Sequence, residues 1–254
     1  MSILENNTNI SIDSIVESDI GNNIYGVYFI CCLNNYLDIV REQLTEIKNS
    51  GLYNHTTQLL LFVTLYDENN VELQNLLQEF DKKNKFKLIT TSENLYEKFA
   101  ICNYKKYISH CNDYYLYYFH TKGISKVSDN IFSRRRKILD FYILNKYNIS
   151  IKLLETYDAV GCSLNKYPKL HFSGNFWWSK SSHLNKLNDD IGNGYLAPEM
   201  YVCSFLDGKY ISLNNNTNNG IVNNFILLND TNIMDNVTTI SIENVEHKVL
   251  LNMC

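Results

Sequence analysis

The sequence predicts an α/β protein with a mostly parallel central sheet flanked by helices. Two observations carry that expectation. Residues 25–33 and 58–65 are continuous apolar runs, the pattern of buried strands, and 86–91 and 114–119 read as a third and a fourth strand. Between them lie segments whose apolar residues recur at helical spacing. Three strand-helix repeats closing on a fourth strand make a parallel sheet with right-handed crossovers.

The elements follow in order. After the first run (YGVYFICCL), Leu37, Val40, Leu44 and Ile47 form one apolar helix face, and Gly51 is placed to end that helix. The second run is QLLLFVTL, followed by a short helix over 71–80 and a third strand, FKLITT. Ser92 and Glu93 open a predicted helix running to about residue 110, and YYLYYF is the fourth strand. The second half is less regular. It predicts a long amphipathic helix over 130–147, a helical stretch through 154, strands over 159–163 and 175–180, a short helix over 182–187 and another over 199–206. Residues 209–213 and 224–228 read as edge strands, 214–219 as a polar loop, and the tail past Asp230 has only weak alternation. With no internal repeat and no Pro- or Ser-rich linker, the expected organisation is a flexible tail over 1–22 and a single domain over 23–254.

Composition narrows the function classes. The chain has 254 residues, 45% hydrophobic and 20% charged, enough apolar surface for a sizeable core. A net charge of −4 argues against a general nucleic-acid binder, so any phosphate site must be local. Enrichment in Asn, Tyr and Ile, with Pro168 and Pro198 the only prolines, suggests an AT-rich genome. No apolar stretch reaches the ~18 residues of a membrane span, and the start lacks a signal-peptide pattern. Cys31, Cys32, Cys102, Cys162 and Cys203 lie in apolar or periodic segments, as reduced thiols do, and no Cys/His pair has zinc spacing. A cytoplasmic protein, with no membrane span and no nucleic-acid partner, is the expectation.

Chemistry is sought where strands end, because ligands of open α/β sheets bind beyond the carboxyl ends of strands. The fourth strand runs into His120, Thr121, Lys122 and Gly123, where a cation and free backbone N–H groups can face a phosphate or the turn can simply face water. No GxxxxGK[ST] or GxGxxG is present. Arg135 and Arg136 each lie four residues after and three before an apolar residue of the long helix, so at least one guanidinium faces its apolar side. Such a cation suits a diphosphate, or pairs with a carboxylate such as Glu155 or Asp158. Gly174 and Asn175 permit irregular backbone ahead of Trp177 and Trp178, which face opposite sides of a strand, so that one can line a cleft while the other is core. Glu199 follows Pro198 at a helix start, where an acid is favoured by the dipole whatever else it does.

In this order YFHTKGIS at 118–125, RRRKILDFYIL at 134–144, HFSGNFWWSK at 171–180 and PEMYV at 198–202 resemble the small GT-A (Rossmann-like) glycosyltransferases of capsule and rhamnan-type polysaccharide biosynthesis and of large DNA viruses. The resemblance spans about 25–206. It implies transfer of a sugar from a nucleotide-sugar donor, a UDP-sugar foremost, to a glycan acceptor, in a virus or an AT-rich bacterium. It implies a diphosphate held by His120, Thr121, Lys122, Gly123, Arg135 and Arg136, and an acceptor side formed by Gly174, Asn175, Trp177 and Trp178. It also implies Glu199 as the base of an inverting reaction. The Asp-x-Asp that holds a divalent metal in such enzymes is absent here, leaving His120 as the candidate ligand or Lys122 as the substitute charge. The alternatives are a catalytically inactive glycan-binding or scaffold member of the same fold, and a nucleotidyltransferase, for which a Gly-rich loop and paired carboxylates are not evident.

Overall fold

The computed structural model describes residues 23–69, 71–108, 110–124 and 130–214. The tail expected over 1–22, the strand expected over 224–228, the loop after Asn214 and the segment past Asp230 lie outside them.

The chain opens with β1 (Asn23–Cys31), α1 (Tyr36–Asn49), the single turn α2 (Leu52–His55), β2 (Thr56–Thr64), α3 (Val71–Phe80) and β3 (Phe86–Thr90). Two further single turns, α4 (Lys98–Ile101) and α5 (Lys105–Ile108), lead into β4 (Tyr114–His120). Then come α6 (Asn130–Asp140), a π-helical turn (Phe141–Asn145) and α7 (Tyr147–Leu153). The last part holds β5 (Ala159–Gly161), the short pair β6 (Leu164–Asn165) and β7 (His171–Phe172), β8 (Trp177–Lys180), α8 (Ser181–Leu184), α9 (Ala197–Met200) and β9 (Tyr210–Ser212).

Among the described residues, seven strands form one sheet in the order β3-β2-β1-β4-β8-β5-β9. All neighbours are parallel except β8, which runs antiparallel to both β4 and β5. The mostly parallel sheet and its four leading strands agree with the sequence reading. The chain winds outward from β1 through β2 to β3 and then returns to the other side of β1 with β4. That reversal is a topological switch point, the place at whose carboxyl ends ligands of open α/β sheets bind.

Apolar residues fill both faces. Ile24, Tyr28 and Ile30 of β1 join α1, α6 and Trp178 on one side, and Tyr25, Val27 and Phe29 join α4, Trp177 and Tyr201 on the other. The period of two along β1 and β8 sends successive side chains into opposite cores. No helix among the described residues is long and apolar enough to cross a membrane.

Several elements differ from the sequence reading, each for a local reason. The helix expected over 92–110 is interrupted: Tyr96 has φ +51°, a left-handed conformation that a helix cannot continue through. The helix expected over 130–147 changes to π geometry after Asp140. The strands expected over 159–163 and 175–180 are shorter because Ser163 (φ +55°) and Asn175 (φ +57°) also leave extended geometry. The helix expected over 199–206 is the single turn α9, which begins at Ala197 with Pro198 in its first turn.

Candidate functional site

β4 ends at His120, and the turn that follows leaves the sheet at its carboxyl edge beside the parallel β1. Thr121 prolongs the ladder by one residue: its N–H donates to Phe29 O at 3.1 Å, and its hydroxyl accepts from Cys31 N at 3.1 Å. The chain then folds back, with Lys122 N donating to His120 O at 2.7 Å. Gly123 follows at φ +83°, where a Cβ would lie 2.9 Å from Phe132 Cβ. Only glycine fits that turn without strain.

Gly174, also at a positive φ of +103°, is where the scattered motifs meet. Its carbonyl accepts from His120 Nε2 at 2.9 Å, which fixes the proton of a neutral ring on that nitrogen. Its N–H donates to Glu199 Oε1 at 2.6 Å. A Cβ built on it would stand 3.3 Å from Lys122 Cε and 3.6 Å from Nζ, so the ammonium lies alongside the same backbone. On the far side, His120 Nδ1 faces Glu97 Oε1 at 3.7 Å. Glu97 Oε2 accepts from Asn175 Nδ2 at 2.5 Å and from Tyr118 OH at 3.1 Å.

The electrostatics follow from this packing. Burial pushes the Lys122 ammonium below its usual pKa, Glu97 and Glu199 oppose that shift, and Arg135 adds to it. Burial likewise lowers Arg135, with Glu199 opposing. The His120 ring is lowered by burial against the pull of Glu97, with Lys122 adding to the decrease. Two cations and two carboxylates thus share one low-dielectric edge, an arrangement able to take up an anion and to move a proton.

The residues read from the sequence divide into two sets. His120, Thr121, Lys122, Gly123, Gly174, Asn175, Glu199 and Arg135 converge here. Arg136 does not face the cluster: it is 6% exposed and donates to Lys122 O at 3.1 Å and Glu42 Oε1 at 3.2 Å, so its carboxylate partner is neither Glu155 nor Asp158. Glu155 pairs with Lys152, and Asp158 with Lys180. Trp177 and Trp178 are both fully buried. Trp177 stacks on Tyr118, and Trp178 donates to Ile143 O at 2.8 Å, so neither indole face lines a cleft. Glu97 is the residue that sequence reasoning missed. It lies in the segment read as a regular helix, and nothing in its local pattern marks it.

Fold and site together define an α/β protein with a charged, glycine-lined edge at the switch point of its sheet. Residues 30–191, more than half of the chain, match the family described as "Domain of unknown function (DUF8361)", and the chain belongs to that family. No curated protein matches the sequence. Among solved structures, the mannosyltransferase PcManGT from Pyrobaculum calidifontis, in complex with GDP-Man and Mn2+, is similar at 11% identity with a TM-score of 0.44. That match covers 76% of this chain and 56% of that one, so this chain spans little more than half the mannosyltransferase's length. HddC from Yersinia pseudotuberculosis is similar at 12% identity and TM-score 0.42, covering 73% of this chain and 88% of that chain. The 4-diphosphocytidyl-2C-methyl-D-erythritol synthase from Anaerococcus prevotii is similar at 10% identity and TM-score 0.47, covering 85% and 98%.

Proposed function

We propose that the chain is a nucleotide-sugar-dependent glycosyltransferase of the GT-A kind, with residues 23–254 forming its one domain. The observation that carries this reading is the convergence of Lys122, Arg135, Glu97 and Glu199 around Gly174 at the carboxyl edge beside the switch point. Lys122 and Arg135 hold the donor diphosphate, a UDP-sugar being the first candidate, and the glycan acceptor docks beside Glu199, with the buried Gly174 and Asn175 supporting that edge from beneath. The acceptor hydroxyl oxygen attacks the anomeric carbon, the bond from that carbon to the diphosphate oxygen breaks, and the diphosphate leaves with the electron pair. The hydroxyl proton passes to Glu199, whose Oε1 is engaged by Gly174 N–H and whose Oε2 is the oxygen for the proton. The product carries inverted configuration.

A divalent metal fits this edge poorly. His120 spends Nε2 on Gly174 O and turns Nδ1 to Glu97, and among the described residues no three His, Cys, Asp or Glu side chains are grouped to hold an ion. The cations Lys122 and Arg135 supply the charge that a leaving diphosphate needs.

Titration calorimetry and thermal shift with UDP, GDP and their sugar conjugates, with and without Mn2+, test the reading. A ligand at ~100 times its Kd is expected to stabilise the fold by roughly 2.7 kcal/mol. Lys122→Ala is expected to weaken that ligand by about 1.5–3 kcal/mol, the value of a charged hydrogen bond. A flat panel would leave the glycan-binding or scaffold alternative, and equal affinity in wild type and Lys122→Ala would move the phosphate site elsewhere.

A further inference from the structure

Behind the turn that carries Lys122, on the α1 and α6 side of the sheet, lies a buried polar cluster that the proposed chemistry does not use. Gln43 of α1 is fully buried. Its Oε1 accepts from Tyr28 OH at 2.7 Å, and its Nε2 donates to Asp140 Oδ1 at 2.7 Å and to His120 O at 3.2 Å. Arg136, one helical turn before Asp140, donates to Lys122 O and to Glu42. Beyond Asp140 the helix enters its π turn, whose last residue, Asn145, donates to Glu46 Oε2. Three polar rungs therefore join α1 to α6 and the π turn, and two of their members reach past the helices to the carbonyls of His120 and Lys122.

Such a cluster is a costly way to join two helices. Buried polar groups lose hydration, and apolar packing of similar volume is often equally or more stable. Apolar side chains, however, cannot donate hydrogen bonds to two chosen carbonyls. The π turn directly after Asp140 accompanies this cluster, and such turns recur at functional sites.

We infer that Gln43 and Arg136 are positioning residues: they hold the carbonyls of His120 and Lys122 toward α1 and α6, so that the Lys122 side chain stays against Gly174. Arg136 thus acts on the site through the backbone of Lys122. The consequence for ligand binding rests on the diphosphate reading above, whereas the bracing of the turn does not.

The test compares wild type, Gln43→Met, Arg136→Met, Lys122→Ala and the Gln43→Met/Lys122→Ala double variant. Amide hydrogen exchange is read at Lys122 and Gly123, and UDP and GDP affinity by calorimetry. The expected result is exchange at the turn about tenfold faster in Gln43→Met or Arg136→Met, with the central strands β1 and β2 unchanged. UDP or GDP affinity is expected to fall about tenfold in Gln43→Met and to be no lower in the double variant than in Lys122→Ala alone, because Gln43 acts through Lys122. Unchanged exchange at the turn overturns the inference, and so does full UDP and GDP affinity in Gln43→Met alongside a loss in Lys122→Ala. Faster exchange at the turn in a protein whose wild type binds neither UDP nor GDP supports the bracing and rejects the nucleotide reading instead.

Discussion

At the residue scale, Glu199 shows how position separates two roles of one side chain. Pro198 sets the first turn of α9, and Glu199 Oε1 reaches across to hold Gly174 N–H, which keeps the left-handed Gly174 in place against Lys122. Glutamine retains an oxygen that accepts from Gly174 but is not a base at neutral pH. Glu199→Gln is therefore expected to lower kcat by about 10²–10⁴ with melting temperature and donor affinity nearly unchanged. Release of nucleoside diphosphate from the donor found in the binding panel measures it. Activity near wild type would leave Glu199 as the fastener of Gly174 and no more, with the base to be sought at Glu97. Lys122 and Glu199 were legible because each has a one-dimensional mark, a cation beside a glycine after a strand and an acid after a helix-start proline. Glu97 has none, since it meets His120, Tyr118 and Asn175 only through the folded sheet. Arg135 and Arg136 could not be told apart by spacing: both follow an apolar residue by four positions, and the rotation of α6 on α1 decides which one is turned under the sheet.

At the element scale, β1, β2 and β4 were readable because strands buried on both faces are continuous apolar runs, and these three are almost wholly buried, whereas β3 is a partly exposed edge strand. The second half was not, because its boundaries are set by single residues at positive φ and by a π turn, which leave no periodic trace. Trp177 and Trp178 illustrate the limit: alternation correctly sends them to opposite faces, but both faces of β8 are covered, so both are core. Close packing at the centre of the sheet is testable at Gly26 of β1. A Cβ there would lie 2.5 Å from Leu59 Cδ1 and 2.5 Å from Tyr117 Cζ, and the Tyr117 hydroxyl is tied to Thr56 Oγ1 at 3.0 Å. The ring cannot swing aside without losing that bond. Gly26→Ala is expected to destabilise by about 1–3 kcal/mol through overpacking, seen as a lower urea midpoint with an unchanged m-value. An unchanged midpoint would mean that β1 and β4 can separate at little cost.

At the scale of the whole molecule, burial of two histidines ties stability to pH. His120 lies at the carboxyl edge, and His183 is fully buried on α8, donating from Nε2 to Val202 O at 2.8 Å between the edges of Phe205 and Tyr210. Burial lowers both pKa values: Glu97 opposes at His120 and Lys122 adds, while Asp158 opposes at His183 and Lys186 and Lys180 add. A depressed folded-state pKa means that the unfolded chain takes up the proton first. Stability is therefore full above the unfolded value of about 6.5 and is lost as pH falls through the folded values, at up to ~1.4 kcal/mol per pH unit for each ring. Asp140 has the opposite sign. Burial raises its pKa well above the ordinary value, against its bond to Gln43 and the charge of Arg136, so its contribution is full below the unfolded value and is lost as pH rises. Because these terms oppose each other in weak acid, the raw pH profile does not isolate the histidines, but a difference between variants does. His183→Gln keeps an N–H for Val202 O and removes the titration. Urea unfolding from pH 7.5 to 5 is therefore expected to show a shallower fall in stability with acid for His183→Gln than for wild type, the two curves converging as pH drops. Parallel curves would show that His183 takes up its proton equally in the folded and unfolded chains, and would leave His120 as the ring that makes the fold sensitive to acid.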